Sequence, residues 1–331
     1  MTRVWSEGFE LQDLVGYTAS PGISTSVKRS GAASYAGANT YTSSFTKTIT
    51  AVSEFYLRFA VYLNNNSSTT FYWKKGGTTL GYITINTSGI TISCNGLTDT
   101  GAYIPIVNSW ILLEVHIKIN DTTGVVEIKY EGLLDASVSG DTKPGADTTV
   151  DTLYFERFNA GGYYPVLYLD DMALNDTAGG VDDSWCGEGK IIMLTPNDDV
   201  TTELTQFPAL TDHHADVDDY PADGDTTYVQ GTVVDEEDLY ELSASGLVAA
   251  DVDTINRVWV ESSSIDTVAS GGEVALFIVS DATEGTGADV ILGTSYTTKV
   301  MSQEFLQDPD GPAAWSVAAL DALRAGVRTR A

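Results

Sequence analysis

Residues 212–225 hold the densest group of side chains that could bind a metal ion. Six aspartates and two of the three histidines of the chain fall within this run. An EF-hand loop beginning at Asp219 would place Pro221 third and Gln230 twelfth, where calcium ligands are required, so that motif is excluded. The two histidines are adjacent, whereas a shared helical metal face needs them four residues apart. The run therefore predicts a mobile acidic loop at a subunit or interdomain contact.

Catalytic patterns are missing elsewhere in the sequence. Sandwich-type glycanases usually carry alternating carboxylates on one strand, such as Glu-x-Asp-x-x-Glu, and no such run occurs. Glu127 and Glu131 lie in a predicted hairpin whose alternation places them on the solvent face. His116, between Val115 and Ile117, is expected to be a surface residue of a strand. No Gly-x-Ser-x-Gly, P-loop or paired Cys–His signal is present, so the sequence predicts a protein that is not an enzyme.

Aromatic side chains near glycine-rich turns could stack on sugar rings. The candidates for carbohydrate binding are Tyr72, Trp73, Tyr163 and Tyr164. The alternative is that they pack across neighbouring strands, where tyrosine and tryptophan are common.

The charge of the chain is strongly negative, at −29. Residues 1–180 carry 11 basic and 17 acidic side chains, whereas residues 181–331 carry 6 and 29. Such a field repels phosphates and disfavours nucleic-acid partners, while it favours cations, basic surfaces and solubility at high ionic strength. No apolar run is long enough for a membrane span, and the amino-terminal residues do not resemble a signal peptide, so synthesis in a cytoplasm is expected.

The elements that would position these residues are short strands. Residues 53–63 and 110–120 alternate apolar and polar side chains with a period of two, and further runs of this kind follow at short intervals. Glycine and polar turn residues separate them. This pattern predicts an all-β protein with antiparallel β-sandwich or jelly-roll domains.

A polar, glycine-bearing break at residues 178–183 suggests a domain boundary near Gly180. It predicts a jelly-roll domain over residues 1–180 and an acidic β-sandwich over 181–331. The second domain is expected to open with a strand over 190–196 that ends at its proline. Residues 315–327 predict a short helix capped by Ser316 and ended by Gly326. The apolar residues around this helix are expected to form either an interface or the domain core.

Several short motifs occur in an order that resembles a known group of proteins. The motifs are Glu7-Gly8-Phe9-Glu10, Trp110, the hairpin 124–132, Tyr168-Leu169-Asp170-Asp171-Met172-Ala173-Leu174, Leu194-Thr195-Pro196, Asp225-Thr226-Thr227-Tyr228, Asp308-Pro309, Trp315-Ser316 and Gly326-Val327. With these motifs, the first half is similar to concanavalin-A-like, LamG-type jelly rolls, and the whole order resembles virion proteins of tailed phages and prophages.

The resemblance implies a non-catalytic structural subunit on the surface of a phage particle, such as a capsid decoration, head fibre or tail-associated protein. Its expected partners are other virion proteins and copies of itself. The alternative function is a module that recognises host carbohydrate. No cofactor is expected beyond a structural Ca²⁺.

The resemblance also implies where that calcium ion would bind. Related carbohydrate-binding jelly rolls hold Ca²⁺ between the opening segment and the closing strand, which correspond here to Glu10, Asp170 and Asp171. Adjacent strand residues point to opposite faces, so one of the two aspartates is expected to point inward. Hydrogen bonds to backbone amides are the alternative partners for that carboxylate.

Overall fold

The computed structural model divides the chain into two compact units, residues 1–192 and 193–331. It describes residues 3–37, 42–64, 68–158, 166–209, 212–268, 271–296, 299–301, 304–311 and 313–330. Strands dominate both units and pair antiparallel, and the described residues contain one α-helix of five residues. The all-β prediction is therefore confirmed. None of the helices in those ranges has the length and apolar character that a membrane span requires.

The described residues of the first unit form fifteen strands. Their bounds are β1 Arg3–Glu7, β2 Thr18–Ala19, β3 Ile23–Ser24, β4 Ser34–Ala36, β5 Thr42–Val52, β6 Glu54–Leu63, β7 Ser68–Lys75, β8 Thr78–Asn86, β9 Gly89–Cys94, β10 Leu97–Thr100, β11 Ser109–Lys118, β12 Gly124–Tyr130, β13 Leu133–Gly140, β14 Val150–Phe158 and β15 Tyr168–Asp176.

These strands form two sheets that enclose one core. The eight-stranded sheet has the order β13-β12-β11-β6-β15-β4-β3, with β1 added to β15, and the seven-stranded sheet has the order β10-β9-β8-β7-β14-β5-β2. The predicted alternation is observed on β6, where Phe55, Leu57 and Phe59 are fully buried in a core rich in aromatic rings. Period-two patterning thus directs the apolar faces of both sheets toward each other.

The segment 181–192 belongs to the first unit, so the division between units falls at its end and not near Gly180. Cys186 is buried in this segment, and the Gly187 N–H donates to the Glu114 carboxylate at 2.7 Å. The polar, glycine-rich break that suggested a boundary is therefore a turn, after which the chain packs back onto the sandwich.

In the second unit, the part of the chain that the structure describes forms ten strands, one α-helix and two 3₁₀ helices. Their bounds are β16 Pro196–Thr202, β17 Thr205–Phe207, 3₁₀ His213–Asp216, β18 Tyr228–Gln230, β19 Glu237–Leu242, 3₁₀ Ala249–Asp251, β20 Glu261–Ser263, β21 Glu273–Ser280, β22 Thr283–Thr286, β23 Val290–Ile291, β24 Lys299–Met301, α1 Val317–Asp321 and β25 Arg324–Thr329. The main sheet has the order β16-β19-β25-β21-β22, with β23 on β21, and two small sheets pair β17 with β18 and β20 with β24.

Two predicted elements of this unit are wrong. Residues 190–195 are not a strand, and β16 begins at Pro196 instead of ending there. The helix begins after Ser316, which caps it by accepting from the Ala319 N–H at 3.0 Å, but it ends at Asp321. Gly326 lies inside β25, where a Cβ would overlap the Phe277 ring. The glycine that looked like a helix stop thus allows close packing in the centre of a sheet.

The apolar residues around α1 form core packing. Trp315, Leu320 and Leu323 are buried, and the Trp315 indole N–H donates to the Phe305 carbonyl at 2.9 Å. A buried tryptophan whose polar atom is satisfied anchors the approach to the last strand.

Candidate functional site

Three tyrosines form a row across the outer face of the seven-stranded sheet. On β7, Phe71 and Trp73 point into the core, and Tyr72 points outward. Tyr72 lies opposite Tyr82 on β8 and Tyr154 on β14, with ring centroids 5.7 and 5.5 Å away. Tyr82 is 38% exposed. The sheet register therefore presents one aromatic ring from each of three neighbouring strands.

A polar row runs beside the tyrosines. Thr70 on β7 pairs with Glu156 on β14 and with Thr84 on β8, which in turn pairs with Thr91 on β9. The Thr91 hydroxyl lies 3.0 Å from the hydroxyl of Thr100 on the edge strand β10. Hydroxyl groups both donate and accept, so this row can exchange hydrogen bonds with a polar ligand.

Lys74 covers part of the tyrosine row. Its Nζ lies 3.6 Å from the ring centroid of Tyr154 and 5.2 Å from that of Tyr72, as in cation–π contacts. Burial lowers the pKa of Lys74, and the Glu156 carboxylate opposes that shift. Burial, together with the Glu156 charge, raises the pKa of Tyr154 to about 12. The row is therefore a neutral aromatic surface edged by one cation and one carboxylate.

The other predicted sugar-stacking residues lie elsewhere. Trp73 is fully buried and packs against Gly81, so its prediction as a sugar-binding residue is wrong: strand alternation turns it into the core beside Phe71. Tyr163 and Tyr164 lie outside the described residues. Of the four candidates, Tyr72 alone is placed on an outer sheet face, and the partner rings Tyr82 and Tyr154 were missed.

The predicted calcium residues meet at one corner of the first unit. Both Asp170 and Asp171 are fully buried, although alternation predicted that only one would point inward. The register of β15 against β6 shifts after Asp170, and Asp171 has a φ of 49°, so a β-bulge turns both side chains away from solvent. Glu10 is also buried, with its carboxylate against Gly31, where a Cβ would overlap it.

Hydrogen bonds and one arginine hold most of these oxygens. Asp171 accepts from the Arg29 guanidinium at 2.7 Å, the Ser30 hydroxyl at 2.6 Å and the Ile191 N–H at 2.7 Å. Asp170 accepts from the Arg29 N–H at 2.8 Å and from the N–H of Asp171 at the same distance. Backbone amides therefore satisfy much of the hydrogen-bonding capacity of these carboxylates, which was the predicted alternative to calcium binding.

Glu10 is the exception in this corner. Its Oε2 accepts from the Ala32 N–H, but its buried Oε1 has no hydrogen-bond partner. Burial, together with the charges of Asp170 and Asp171, raises the pKa of Glu10 to about 8. The orphaned oxygen is compatible with a bound cation.

Asp170 and Asp171 fit calcium less well than Glu10, because Arg29 already supplies a positive charge at Asp171. Within the described ranges, no three acidic, histidine or cysteine side chains lie close enough to share one ion. The corner therefore does not provide a cage of carboxylates, and calcium binding stays a prediction from the sequence.

His116 is not the exposed strand residue that its neighbours suggested. It is buried on the outer face of the eight-stranded sheet, with Nδ1 3.0 Å from Glu127 and Nε2 2.9 Å from Glu54. Its ring stacks on Tyr56 at 4.3 Å, and Trp185 covers both rings edge-on. The segment 181–192 supplies this cover, which strand alternation cannot reveal.

The carboxylates of the β12–β13 hairpin have structural partners. Glu127 binds His116, and Glu131 accepts from the Leu112 N–H at 2.7 Å. Both carboxylates therefore link neighbouring strands of the eight-stranded sheet.

Comparison with known proteins finds similarity to solved structures over part of the chain only. No family model matches the chain, and no curated protein matches it. Solved structures with a similar fold include a sialidase (9% identity, TM-score 0.41, 54% of this chain and 19% of that chain). Others are a tetrameric galectin from the ball sponge Cinachyrella sp. (11%, 0.33, 40% and 99%) and the receptor binding domain of botulinum neurotoxin C/D mosaic serotype (10%, 0.40, 53% and 48%). The chain thus spans less than half the length of the sialidase and the toxin domain.

Proposed function

We propose that the first unit binds a carbohydrate chain on the outer face of its seven-stranded sheet and performs no chemistry on it. The observation that carries this proposal is the tyrosine row Tyr154–Tyr72–Tyr82, held in register on three adjacent strands. Cross-strand packing alone would explain the contacts between these rings. The exposure of Tyr82 and the polar row beside it favour a ligand surface.

The chemistry of the two rows suits a sugar. The faces of aromatic rings carry partial negative charge and attract the polarised C–H groups of a pyranose. The threonine hydroxyls, Glu156 and the Lys74 ammonium can pair with sugar hydroxyls. Because the side chains stand on paired strands, they are already ordered before the ligand binds, which reduces the entropic cost of association.

The same face argues for binding without catalysis. Hydrolysis of a glycosidic bond ordinarily uses two carboxyl groups about 5–9.5 Å apart. Within the tyrosine row and the polar row, Glu156 is the one carboxylate. A single carboxylate beside tyrosines can orient a hydroxyl group but cannot supply both the acid and the base of the reaction.

The full chain applied to a panel of immobilised neutral and acidic glycans tests this function. We expect at least one glycan to bind, and Tyr72→Ala and Tyr82→Ala each to weaken that binding tenfold or more. Tyr103→Ala is the matched control, since Tyr103 is similarly exposed (39%) but lies outside both rows. Loss of binding in the control variant alone, binding of no glycan, or release of reducing ends from the bound glycan would each refute the proposal.

A place on a phage particle rests on the sequence resemblance alone, and so do virion partners and self-association. We propose carbohydrate recognition as the activity and keep the virion surface as its predicted location. Mass spectrometry of purified particles from a host that carries the gene would test the location independently of glycan binding.

A further inference from the structure

The acidic run of the second unit is ordered where its two histidines lie. Residues His213–Asp216 form a 3₁₀ helix instead of the mobile loop that the sequence predicted. The backbone N–H groups of His213 and His214 donate to the two carboxylate oxygens of Asp199 on β16, each at 2.7 Å. This short helix is therefore fastened to the main sheet of the unit.

A buried carboxylate fixes the proton position on His213. The Nδ1 atom lies 2.7 Å from Oδ2 of Asp238, which is fully buried on β19 and also accepts from the Tyr240 hydroxyl at 2.9 Å. A carboxylate accepts hydrogen bonds, so Nδ1 carries the proton and the Nε2 of a neutral ring carries the lone pair. Histidines that bind metals are commonly held in this way, with the second nitrogen donating to a carboxylate.

Asp216 differs from Asp238 in its hydrogen bonding, because neither of its carboxylate oxygens accepts a hydrogen bond. The residue is only 3% exposed. The nearby Gln206 amide donates to the Asp212 carbonyl at 2.8 Å. Burial raises the pKa of Asp216, while Gln206 and His213 oppose the shift. A buried carboxylate without a partner costs free energy unless a positive charge compensates it.

The helix places these two groups on one face. Side chains three residues apart eclipse each other in a 3₁₀ helix, and His213 and Asp216 have this spacing. His214, one residue further on, is rotated away, and its Nδ1 lies 3.1 Å from Asp199.

We infer that His213 and Asp216 bind a divalent transition-metal ion of the Zn²⁺ type through the free imidazole nitrogen and the unpartnered carboxylate. Imidazole together with carboxylate is a donor set that favours Zn²⁺ or Co²⁺ over Ca²⁺ and Mg²⁺. In the described part of the chain no third acidic, histidine or cysteine side chain completes the set, so water fills the other positions. The affinity is accordingly modest, and the ion replaces the missing partner of Asp216.

Isothermal titration of the chelator-treated full chain with Zn²⁺ tests this site, in the presence of excess Mg²⁺ to saturate the acidic surface. One Zn²⁺ should bind per chain, and His213→Gln and Asp216→Asn should each weaken binding at least tenfold. His214→Gln and His116→Gln are the matched controls and should bind as the parent does. Equal competition by Mg²⁺, no binding, or dependence on His214 in place of His213 would overturn the assignment.

A second measurement uses the unaltered protein, in case Asp216→Asn does not fold. Paramagnetic Co²⁺ should selectively broaden the ring signals of His213 in a nuclear magnetic resonance spectrum and leave those of His116 unchanged, because both nitrogens of His116 are held by glutamates. Unchanged His213 signals would show that His213 and Asp216 bind no metal.

Discussion

The two units use their acidic residues in different ways. The first unit, with 12 basic and 20 acidic side chains, buries Glu10, Asp170 and Asp171 within a large aromatic sandwich. The second unit has 5 basic and 26 acidic side chains, and Arg328 and Arg330 each pair with two acids. Arg328, for example, donates to Glu237 at 2.7 Å and to Glu284 at 2.9 Å. Asp216 and Asp238 are buried in the second unit as well, but its much larger acidic excess makes that unit the more sensitive to salt.

The largest effect is expected from Asp171→Asn in the first unit. The substitution removes the buried charge that pairs with Arg29 and leaves a nearly buried guanidinium with only the Gly189 carbonyl and the exposed Glu188 carboxylate as partners. Breaking such a pair costs about 3–5 kcal/mol, which we expect as a loss in the free energy of unfolding measured with urea. Asp121→Asn is the control: its carboxylate is 65% exposed and pairs with Lys143 at the surface. Equal losses in the two variants would mean that burial does not distinguish these carboxylates.

A smaller effect concerns pH. The pKa of Glu10 rises from its ordinary value of 4.5 to about 8, first because of burial, so the folded protein keeps this proton to higher pH than the unfolded chain. The stabilisation is complete below pH 4.5 and is lost as the pH rises through about 8. A pKa shift of this size corresponds to about 5 kcal/mol, at about 1.4 kcal/mol per pH unit. Because relaxation and water penetration lower the cost of a buried charge, we expect the first unit to lose roughly half of that across this window.

Hydrogen exchange read by mass spectrometry, with a chelator present, measures this loss for peptides of the first unit. Glu10→Gln imitates the protonated side chain and should flatten the dependence. A first unit that grows more stable between pH 5 and pH 8 would contradict the direction of the shift.

The smallest effect is expected from salt on the second unit. Added NaCl screens the repulsion among its acidic side chains, and at 0.1 M charges more than about 10 Å apart no longer interact strongly. The ion pairs of Arg328 weaken as well, but acids outnumber bases about fivefold, so screening should stabilise the unit. The same exchange measurement should show a gain in protection with salt that is larger in the second unit than in the first. An equal gain in both would remove this distinction.

The sequence predicted those features of the fold that follow from the alternation of apolar and polar side chains along a strand. The burial of Phe55 and Leu57 on β6 follows directly from the period of two, and the inward side of Trp73 could have been predicted from the same rule. Alternation alone could not predict the tyrosine row, because the row depends on the pairing of β7 with β8 and β14. The register between distant strands is set by the folded sheet.

Other features of the structure have no signal in the local amino-acid sequence. The bulge that buries both Asp170 and Asp171 and the cover of His116 by Trp185 arise from contacts between distant parts of the chain. The strand Arg324–Thr329 was predicted to continue a helix, because alanine and leucine before it favour helix and only the sheet contacts oppose that preference. Propensity therefore failed where tertiary packing decides.

The segment 181–192 has a practical consequence for where a fragment that contains the first unit should end. A protein fragment that stops at Gly180 would lack Trp185, Cys186 and Ile191, and its sheet would expose the rings of Tyr56 and His116 to water. Uncovered apolar surface of this kind promotes aggregation during expression. A fragment that stops at residue 192 keeps this covering segment, so residue 192 is the boundary that we would choose for producing the first unit alone.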